Sequence, residues 1–429
     1  MAITLILLMI IFLFVGMPVG FALGVAGFVG LILTGGWEAL VSILSTVPYR
    51  TAASYTLTTV PMFILMAEFI TKSRIVEDLF LAAHRWMERL PGGLAIATVF
   101  ASAGMAAMAG SSTASAATMS NVAIPQLLKY GYKPSIASGV VTVAGTLAIM
   151  IPPSIGFVLY GIITETSIGK LLIAGIIPGI LTTTMYCLGI LGWNKAIPGL
   201  MPPPTRMFTW ADRWGSLKPL WSFIILATVV VGSIYTGLAT ATEAAAFGAF
   251  GALVLTLLMK RIGKREIGEA ARRTVQTTTM IFAIIIGAMI FGYFLTITQT
   301  TQKVIMFLGA LDVPSWVIMG FIVVLYLILG CIMDQVAILF ITLPLTFPLV
   351  MSLGYDPIWF GVVCTKMGEI GLVTPPIGMN AYVVSATSKI PLEEVFRGTG
   401  MLLSVDVLSL ILLLAFPAIS TWLPSMMKF

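Results

Sequence analysis

Charged residues are scarce in this sequence. Only 9% of its 429 residues are Asp, Glu, Lys or Arg, whereas 59% are hydrophobic. A water-soluble domain of this length cannot bury so much apolar surface, so the composition excludes a soluble globular protein and predicts a chain embedded in a lipid bilayer. Cysteine is scarce as well, because Cys187, Cys331 and Cys364 are scattered through apolar segments. Their spacing offers neither a metal site nor redox chemistry.

Several functional motifs are also missing. The sequence contains no Walker loop, no Ser/His/Asp constellation and no array of residues for a proton relay, so neither ATP hydrolysis nor another enzymatic activity is expected. We expect no cofactor. The net charge of +6 could suggest a nucleic-acid partner, but the basic residues fall in short loops beside apolar segments, where they orient membrane proteins. No nucleic-acid partner is therefore expected.

Apolar segments of helical length recur from Ile3 to Leu423, with 41 glycines among them. A transmembrane barrel would instead show alternating segments of about ten residues. The sequence therefore predicts an all-α polytopic membrane protein. The first segment, Ala2 to Val15, lacks a basic beginning and a small-residue cleavage site, so we expect it to be a span and not a removable signal peptide.

The chain repeats itself with an offset of 223 positions. Residues 125–153 share nine identities in 29 positions with residues 348–376, without a gap, so we interpret the chain as two copies of one unit. Each copy is predicted to contain three spans with two amphipathic arms, a re-entrant hairpin, a long helix interrupted by Pro-Pro, and a final span. Because such a hairpin enters and leaves on one side, each copy crosses the membrane five times, and this odd number inverts the second copy.

The repeat separates the hairpins and interrupted helices from the remaining spans. The family resemblance given at the end of this subsection implies that the hairpins and interrupted helices form a transport domain and that the remaining spans form its scaffold. The predicted boundaries are 1–92 for scaffold with amphipathic arms, 93–168 for hairpin 1 and its broken helix, 169–314 for scaffold and connecting loop with repeat 2 starting near 219, 315–388 for hairpin 2 and its broken helix, and 389–429 for the C-terminal span.

The basic residues are distributed unequally between the two sides of this topology. One side receives the loops at 72–91, 129–133, 194–218, 260–275 and 387–397, which hold 18 of the 23 Lys and Arg residues. The other side receives Arg50, Lys170, Lys303 and Lys428, and Lys366 falls inside a span. The positive-inside rule makes the rich side cytoplasmic. Hairpin 1 then opens from the cytoplasm, and hairpin 2, near Asp334, is expected to be reached from outside.

Adjacent prolines interrupt a predicted helix at equivalent positions of the two copies. The residues concerned are Ile151, Pro152, Pro153 and Ser154 in the first copy, and Thr374, Pro375, Pro376, Gly378 and Asn380 in the second. Each proline removes a donor and clashes with the preceding turn, which frees carbonyl oxygens at mid-membrane depth. A simple proline kink is the alternative interpretation. Two breaks at matched positions favour a transport site, because freed oxygens in hydrocarbon require protein, water or an ion as a partner.

The hairpin tips are polar. Hairpin 1 has Gly110, Ser111, Ser112 and Thr113 at its tip, and hairpin 2 has Asp334 and Gln335. Ser111 and Asp334 are equivalent in the repeat. Hydroxyls and backbone dipoles suit either an anion or the oxygens around a cation at the first tip, although a hydroxyl-bearing helix bend is the alternative. A carboxylate in a membrane hairpin is costly and predicts a cation site at the second.

Other charged residues fall within or beside the predicted spans. Lys366 and Glu369 are three residues apart on one helix face and are expected to pair, either as a structural ion pair or as a coupling pair. Glu68 and Glu243 are expected mainly to hold spans together. His84, the only histidine, lies in an arm rich in charge and is expected on a solvated face.

Taken in order, the motifs resemble a known family over essentially the whole chain. They are Gly16-Met17-Pro18-Val19-Gly20, Gly110-Ser111-Ser112, Gly131-Tyr132, Ile151-Pro152-Pro153-Ser154, Gly175-Ile176-Ile177-Pro178-Gly179, Thr242-Glu243-Ala244-Ala245 and Thr374-Pro375-Pro376-Ile377-Gly378. This sequence resembles the large membrane subunit of the tripartite ATP-independent periplasmic (TRAP) transporters. It departs from the family at Ala109, where Ser or Thr is frequent, and at Ala67, where Gly is common.

The resemblance implies a sodium-driven importer of small organic acids, such as sialic acids or dicarboxylates, in the bacterial inner membrane. A periplasmic binding protein would deliver the substrate, and a small four-span subunit, expected on a separate polypeptide, would brace the large one. It also implies an elevator mechanism, with Na⁺ bound at the hairpin tips. An autonomous sodium/anion symporter of similar inverted-repeat fold is the alternative, since it would need no partner proteins.

Overall fold

The computed structural model describes residues 2–203, 208–309 and 313–427. Arg206 and Lys428, which were assigned to opposite sides of the membrane, lie outside these ranges. The described part of the chain contains helices and connecting turns but no strand, which confirms the all-α prediction. In these residues seven helices are long and apolar enough to cross a membrane, and an eighth span is a pair of helices bent by 41° at the first Pro-Pro break. The chain is therefore a multi-pass membrane protein.

In the described residues the first copy comprises eleven α-helices. They are α1 (Ala2–Phe14), α2 (Val19–Ala52), α3 (Thr59–Lys72), α4 (Ile75–Met87), α5 (Gly93–Ala109), α6 (Ser112–Lys129), α7 (Pro134–Gly145), α8 (Leu147–Met150), α9 (Ile155–Thr164), α10 (Ile168–Ala174) and α11 (Ile176–Ala196). A short connecting helix, α12 (Trp210–Leu217), leads to the second copy. Helices α5 and α6 form hairpin 1, and α7 to α9 form the broken helix.

The second copy repeats this order. Its helices are α13 (Trp221–Tyr235), α14 (Ala241–Leu258), α15 (Lys264–Ile297), α16 (Thr300–Gly309), α17 (Ser315–Gly330), α18 (Gln335–Ser352), α19 (Pro357–Val373), α20 (Met379–Ser388), α21 (Leu392–Ala415) and α22 (Ala418–Ser425). The bounds of α18 are those of α6 shifted by 223 residues, and α19 corresponds in the same way to α7 and α8. The repeat found in the sequence is thus a structural repeat.

The amphipathic arms differ between the copies. In the first, α2 bends sharply at Gly36, whose φ of 73° and ψ of −175° interrupt the helix before residues 37–52 continue as the arm. Glycine adopts a positive φ without the steric cost that a side chain imposes. In the second copy the arm and the third span join in one helix, α15, of 34 residues.

Contacts between loops support the inverted orientation. Three of the five basic loops are in contact: Lys72 bonds Glu269 at 2.5 Å, Arg261 bonds Asp78 at 2.5 Å, and His84 packs its ring on Tyr130. Helix α7 begins at this end of the molecule, because Pro134 directly follows the loop that contains Tyr130.

Helix α19, the equivalent of α7, begins at the opposite end. The Tyr160 hydroxyl near the end of α9 donates a hydrogen bond of 2.7 Å to the carbonyl of Pro357, the first residue of α19. The broken helix of the first copy therefore finishes where that of the second copy starts. Equivalent helices run in opposite directions, as the odd number of crossings predicts.

Glycine permits two close helix crossings. Gly139 of α7 and Gly398 of α21 are in backbone contact, and Gly20 of α2 faces the backbone of Ala283 in α15.

The helices pack in two groups. One group is formed around α2, α3, α14 and α15, and the other around the hairpins and broken helices, with α11 and α21 packed against them. The proposed boundaries at 169 and 389 stay a prediction.

Topology can be tested by cysteine labelling from each side of the membrane, in a variant without the three native cysteines. We expect Lys264→Cys, at the exposed first residue of α15, to react only with a reagent on the cytoplasmic side, following the positive-inside rule. Ser352→Cys, exposed at the base of hairpin 2, should react only from outside. Labelling of residue 264 from outside would reverse the whole orientation.

Candidate functional site

The tip of hairpin 1 lies against the first Pro-Pro break. Gly110 ends α5 with a φ of 60°, and its carbonyl accepts a hydrogen bond of 3.3 Å from the backbone N–H of Ile155. A Cβ atom at Gly110 would lie 2.8 Å from the carbonyl oxygen of Pro153. Both the positive φ and this close approach require glycine. Ser111 then takes the N-cap position of α6, and its hydroxyl lies 3.2 Å from that of Thr113.

The first break is enclosed by protein. Pro152, Pro153 and Ser154 are buried and Ile151 is half-buried. The Ser154 hydroxyl donates a hydrogen bond of 2.5 Å to the carbonyl of Ile149, which the break has freed, and accepts one from the N–H of Phe157. Ser154 therefore both satisfies the interrupted helix and caps the helix that follows.

The second hairpin and break make an equivalent contact. The carbonyl of Cys331, just before the tip, accepts hydrogen bonds of 3.3 Å from the N–H groups of Ile377 and Gly378. Asp334 is the N-cap residue of α18, in the position that Ser111 has at α6. Thr374 donates its hydroxyl to the carbonyl of Ile370 at 2.5 Å.

The two breaks differ in their exposure. Pro375 and Pro376 are exposed, whereas the prolines of the first break are buried. Asn380, early in α20, is fully buried, and neither atom of its amide has a hydrogen-bond partner in the described structure. A buried amide of this kind calls for a partner that the protein does not supply.

Both tips line one cavity of about 500 Å³. Of the predicted site residues it contains Gly110, Ser111, Ser112, Thr113, Asp334 and Gln335. The broken helices line it at Ile149, Ile155, Gly156, Leu372 and Val383, and α3 and α15 supply the facing wall. The predicted residues of the two Pro-Pro breaks, together with Gly378 and Asn380, are not among the described lining residues. The structure therefore brings the two tips together around one cavity, and each tip is hydrogen-bonded to its own broken helix.

The cavity lies toward the cytoplasmic end of the molecule. Its facing wall includes Glu68, one turn before Lys72, and Thr277, one turn after Arg273. A separate outer cavity of about 670 Å³ is lined by residues 54–56, 161–169 and 234–242 and contains neither hairpin tip. The expectation that Asp334 is reached from outside is therefore wrong for this conformation, because the tip residues face a cavity on the cytoplasmic side.

Glu68 of α3 lines the cavity, and its buried Oε2 has no hydrogen-bond partner in the described residues. The charge of Arg273 in α15 acts on Glu68, so the expectation that Glu68 holds spans together stays a prediction.

Two other expectations about isolated charged residues are wrong. Glu243 is exposed and caps α14, accepting a hydrogen bond of 2.8 Å from the N–H of Thr240. His84 is buried, with only 6% of its surface exposed, against Glu88 and the ring of Phe208. Aromatic residues from distant loops cover the face that its charged neighbours suggested was solvated.

Lys366 and Glu369 pair as their spacing predicts, but they also bind a residue that sequence reasoning missed. Lys366 Nζ lies 2.9 Å from Glu369 Oε2 and 2.5 Å from Asp406 Oδ1, and all three side chains are fully buried. Tyr186 donates a hydrogen bond of 2.5 Å to the same Asp406 oxygen. We call Lys366, Glu369, Asp406 and Tyr186 the Lys366 network. The isolated acid in the apolar last span was the signal available in the sequence.

Comparisons with known proteins agree over nearly the whole chain. Residues 6–419 match the family model described as "Tripartite ATP-independent periplasmic transporter, DctM component". A C4-dicarboxylate TRAP transporter large permease protein of Pseudomonas aeruginosa is 35% identical over 380 residues, 88% of each chain. An isethionate TRAP transporter permease protein, DctMQ, of Oleidesulfovibrio alaskensis is 30% identical over 427 residues, 98% of this chain and 64% of that protein.

A solved structure is similar in fold. The YdaH transporter of Alcanivorax borkumensis superposes with a TM-score of 0.66 over 89% of both chains, at 15% sequence identity. At that identity the likeness concerns the fold alone.

Proposed function

Since the chain belongs to the family of DctM components of tripartite ATP-independent periplasmic transporters, we propose that it is the large permease subunit of a sodium-driven importer of small organic acids. A periplasmic binding protein would deliver the substrate, and a small four-span subunit would brace the permease in the inner membrane. The named relatives are permeases for a C4-dicarboxylate and for isethionate, and both substrates are small organic anions.

The observation that carries the proposal is the shared cavity at the hairpin tips. Its polar lining consists of hydroxyls, the amide of Gln335 and the carboxylates of Asp334 and Glu68, and no Lys or Arg occurs among its described lining residues. Oxygen ligands suit a hard cation such as Na⁺. Two carboxylates would repel an anionic substrate that enters the cavity, and sodium ions bound at the tips would compensate their charge. Binding of the acid would then depend on bound sodium, which supports co-transport of the cation and the acid.

Packing also supports an elevator movement. Each tip is hydrogen-bonded to its own broken helix, so tips and breaks would move as one body. The facing wall belongs to α3 and α15, which pack in the other helix group. Sliding between the groups would carry the tips from the cytoplasmic cavity toward the outer one, as alternating access requires.

Reconstituted transport tests the proposed coupling. We expect uptake into proteoliposomes only when the small subunit, the loaded binding protein and an inward sodium gradient are all present, because the chain contains no ATP-hydrolysing motif. Replacing the sodium gradient by an equal potassium gradient is the control. Uptake by this chain alone would favour the autonomous symporter, and uptake in the potassium gradient would refute sodium coupling.

A further inference from the structure

The Lys366 network contains one cation and two carboxyl groups. If both carboxyl groups were ionised, the network would carry a net charge of −1 in the dry interior. Among the described residues, the charged groups that act on Glu369 are Lys366 and Asp406. Tyr160 of α9 and Tyr326 of α17, which also pack on α19, lie beside Phe360 more than two helical turns away. An uncompensated buried charge is strongly unfavourable, so the network needs one further positive charge.

A proton fits this requirement better than a metal ion. Glu369 Oε1 and Asp406 Oδ2 are buried and have no hydrogen-bond partner in the described structure. A hard metal cation collects several oxygen ligands, but the Lys366 ammonium already lies between the two carboxyl groups and would repel a second cation. A proton needs a single oxygen, and either unpartnered oxygen could carry it.

The hydrogen bonds distinguish the two carboxyl groups. Asp406 Oδ1 accepts from both the Lys366 ammonium and the Tyr186 hydroxyl, and two such donors favour its ionised form. Glu369 accepts only from Lys366, through Oε2. We propose that Glu369 holds a proton in this conformation, so that the Lys366 network is a neutral, occluded proton-binding site.

This site lies where the two copies meet. Glu369 precedes the second break by five residues, and Thr146 occupies the equivalent position before the first. The Thr146 hydroxyl lies 3.4 Å from the Tyr186 hydroxyl, so the network reaches both broken helices. Loss of the proton would leave an unpaired negative charge on Glu369, where the two broken helices are connected through the network. The packing of the two breaks is therefore linked to the protonation of Glu369.

Infrared spectroscopy of the purified full chain tests the assignment. The carbonyl band of a protonated carboxylic acid should be present in the wild type and should lose one carboxyl contribution in Glu369→Gln. Glu38→Gln, at an exposed position, is the matched control and should leave the band unchanged. The proposal fails if the band is intact in Glu369→Gln, or if it is reduced only in Asp406→Asn.

Thermal unfolding supplies an independent readout. The folded state would keep a proton that an ordinary glutamate has released in the unfolded chain at neutral pH, so wild-type stability should fall as the pH rises above the usual range of a glutamate. Glu369→Gln should fold, because glutamine resembles the protonated acid, and its Tm should depend less on pH. An unfolded Glu369→Gln variant, or an unchanged slope, would overturn the proposal. Neither measurement depends on transport, so a failure of sodium coupling would leave this inference standing.

Discussion

Replacing Asp334 by asparagine should raise the sodium concentration for half-maximal uptake at least roughly tenfold. The substitution keeps the size of the side chain and removes the charge that would face the ion. Two unit charges about 4 Å apart interact by about 4 kcal/mol at an effective dielectric constant of about 20, and about 1.4 kcal/mol already corresponds to a tenfold change in affinity. Uptake measured in proteoliposomes over a range of sodium concentrations gives the result directly.

Folding should survive this substitution, because asparagine is as good an N-cap residue as aspartate. Asp356→Asn is the matched control: Asp356 caps α19 by accepting hydrogen bonds from Ile358 and Trp359, and it does not line the cavity. Ser112→Ala should weaken sodium dependence more mildly, since it removes one neutral ligand. An unchanged sodium dependence in Asp334→Asn would make Asp334 a structural residue and remove the proposed second cation site.

Gly398→Ala should destabilise the protein by about 3 kcal/mol or more. A Cβ atom at this position would overlap the carbonyl oxygen of Ser135 in α7 and crowd the backbone of Gly139. Overpacking in a core typically costs ~1–3 kcal/mol, and backbone atoms cannot rotate away as a side chain can. We expect a marked loss of folded, monodisperse protein in size-exclusion chromatography and a lower Tm.

Gly400→Ala is the control on the same helix. A Cβ atom there would meet nothing within 4 Å, and alanine favours a helix over glycine by roughly 1 kcal/mol. This variant should be at least as stable as the wild type. Equal stability of Gly398→Ala and Gly400→Ala would show that α7 and α21 are not held in backbone contact.

Much of the fold could be predicted because the repeat and the proline pairs can be recognised directly in the sequence. The offset of 223 residues placed Ser111 and Asp334 at equivalent positions, and each is the N-cap residue of the second hairpin helix. Helical spacing likewise predicted the contact between Lys366 and Glu369, which lie one turn apart. In both cases a pattern that is visible in the sequence itself suffices for the inference.

The remaining features depend on contacts between distant parts of the chain. Asp406 bonds Lys366 across 40 residues, and no periodicity indicates that two particular helices will meet. The burial of His84 depends on Phe208, which follows hairpin 1, the broken helix and the final span of the first copy. Glu68 could not be placed in the cavity because its position depends on which conformation brings the hairpin tips beside α3.

The separate outer cavity has a consequence for inhibition. It measures about 670 Å³ and is lined by hydroxyls of Ser54, Thr56 and Ser167 and by the carboxylate of Glu165. A small cationic compound that fills it could block the return of the hairpin tips without first crossing the membrane. A compound aimed at the tips themselves must reach the cytoplasm while the protein adopts this conformation. Whole-cell uptake assays with membrane-impermeant compounds would separate these two modes, and Glu165→Gln should weaken only the first.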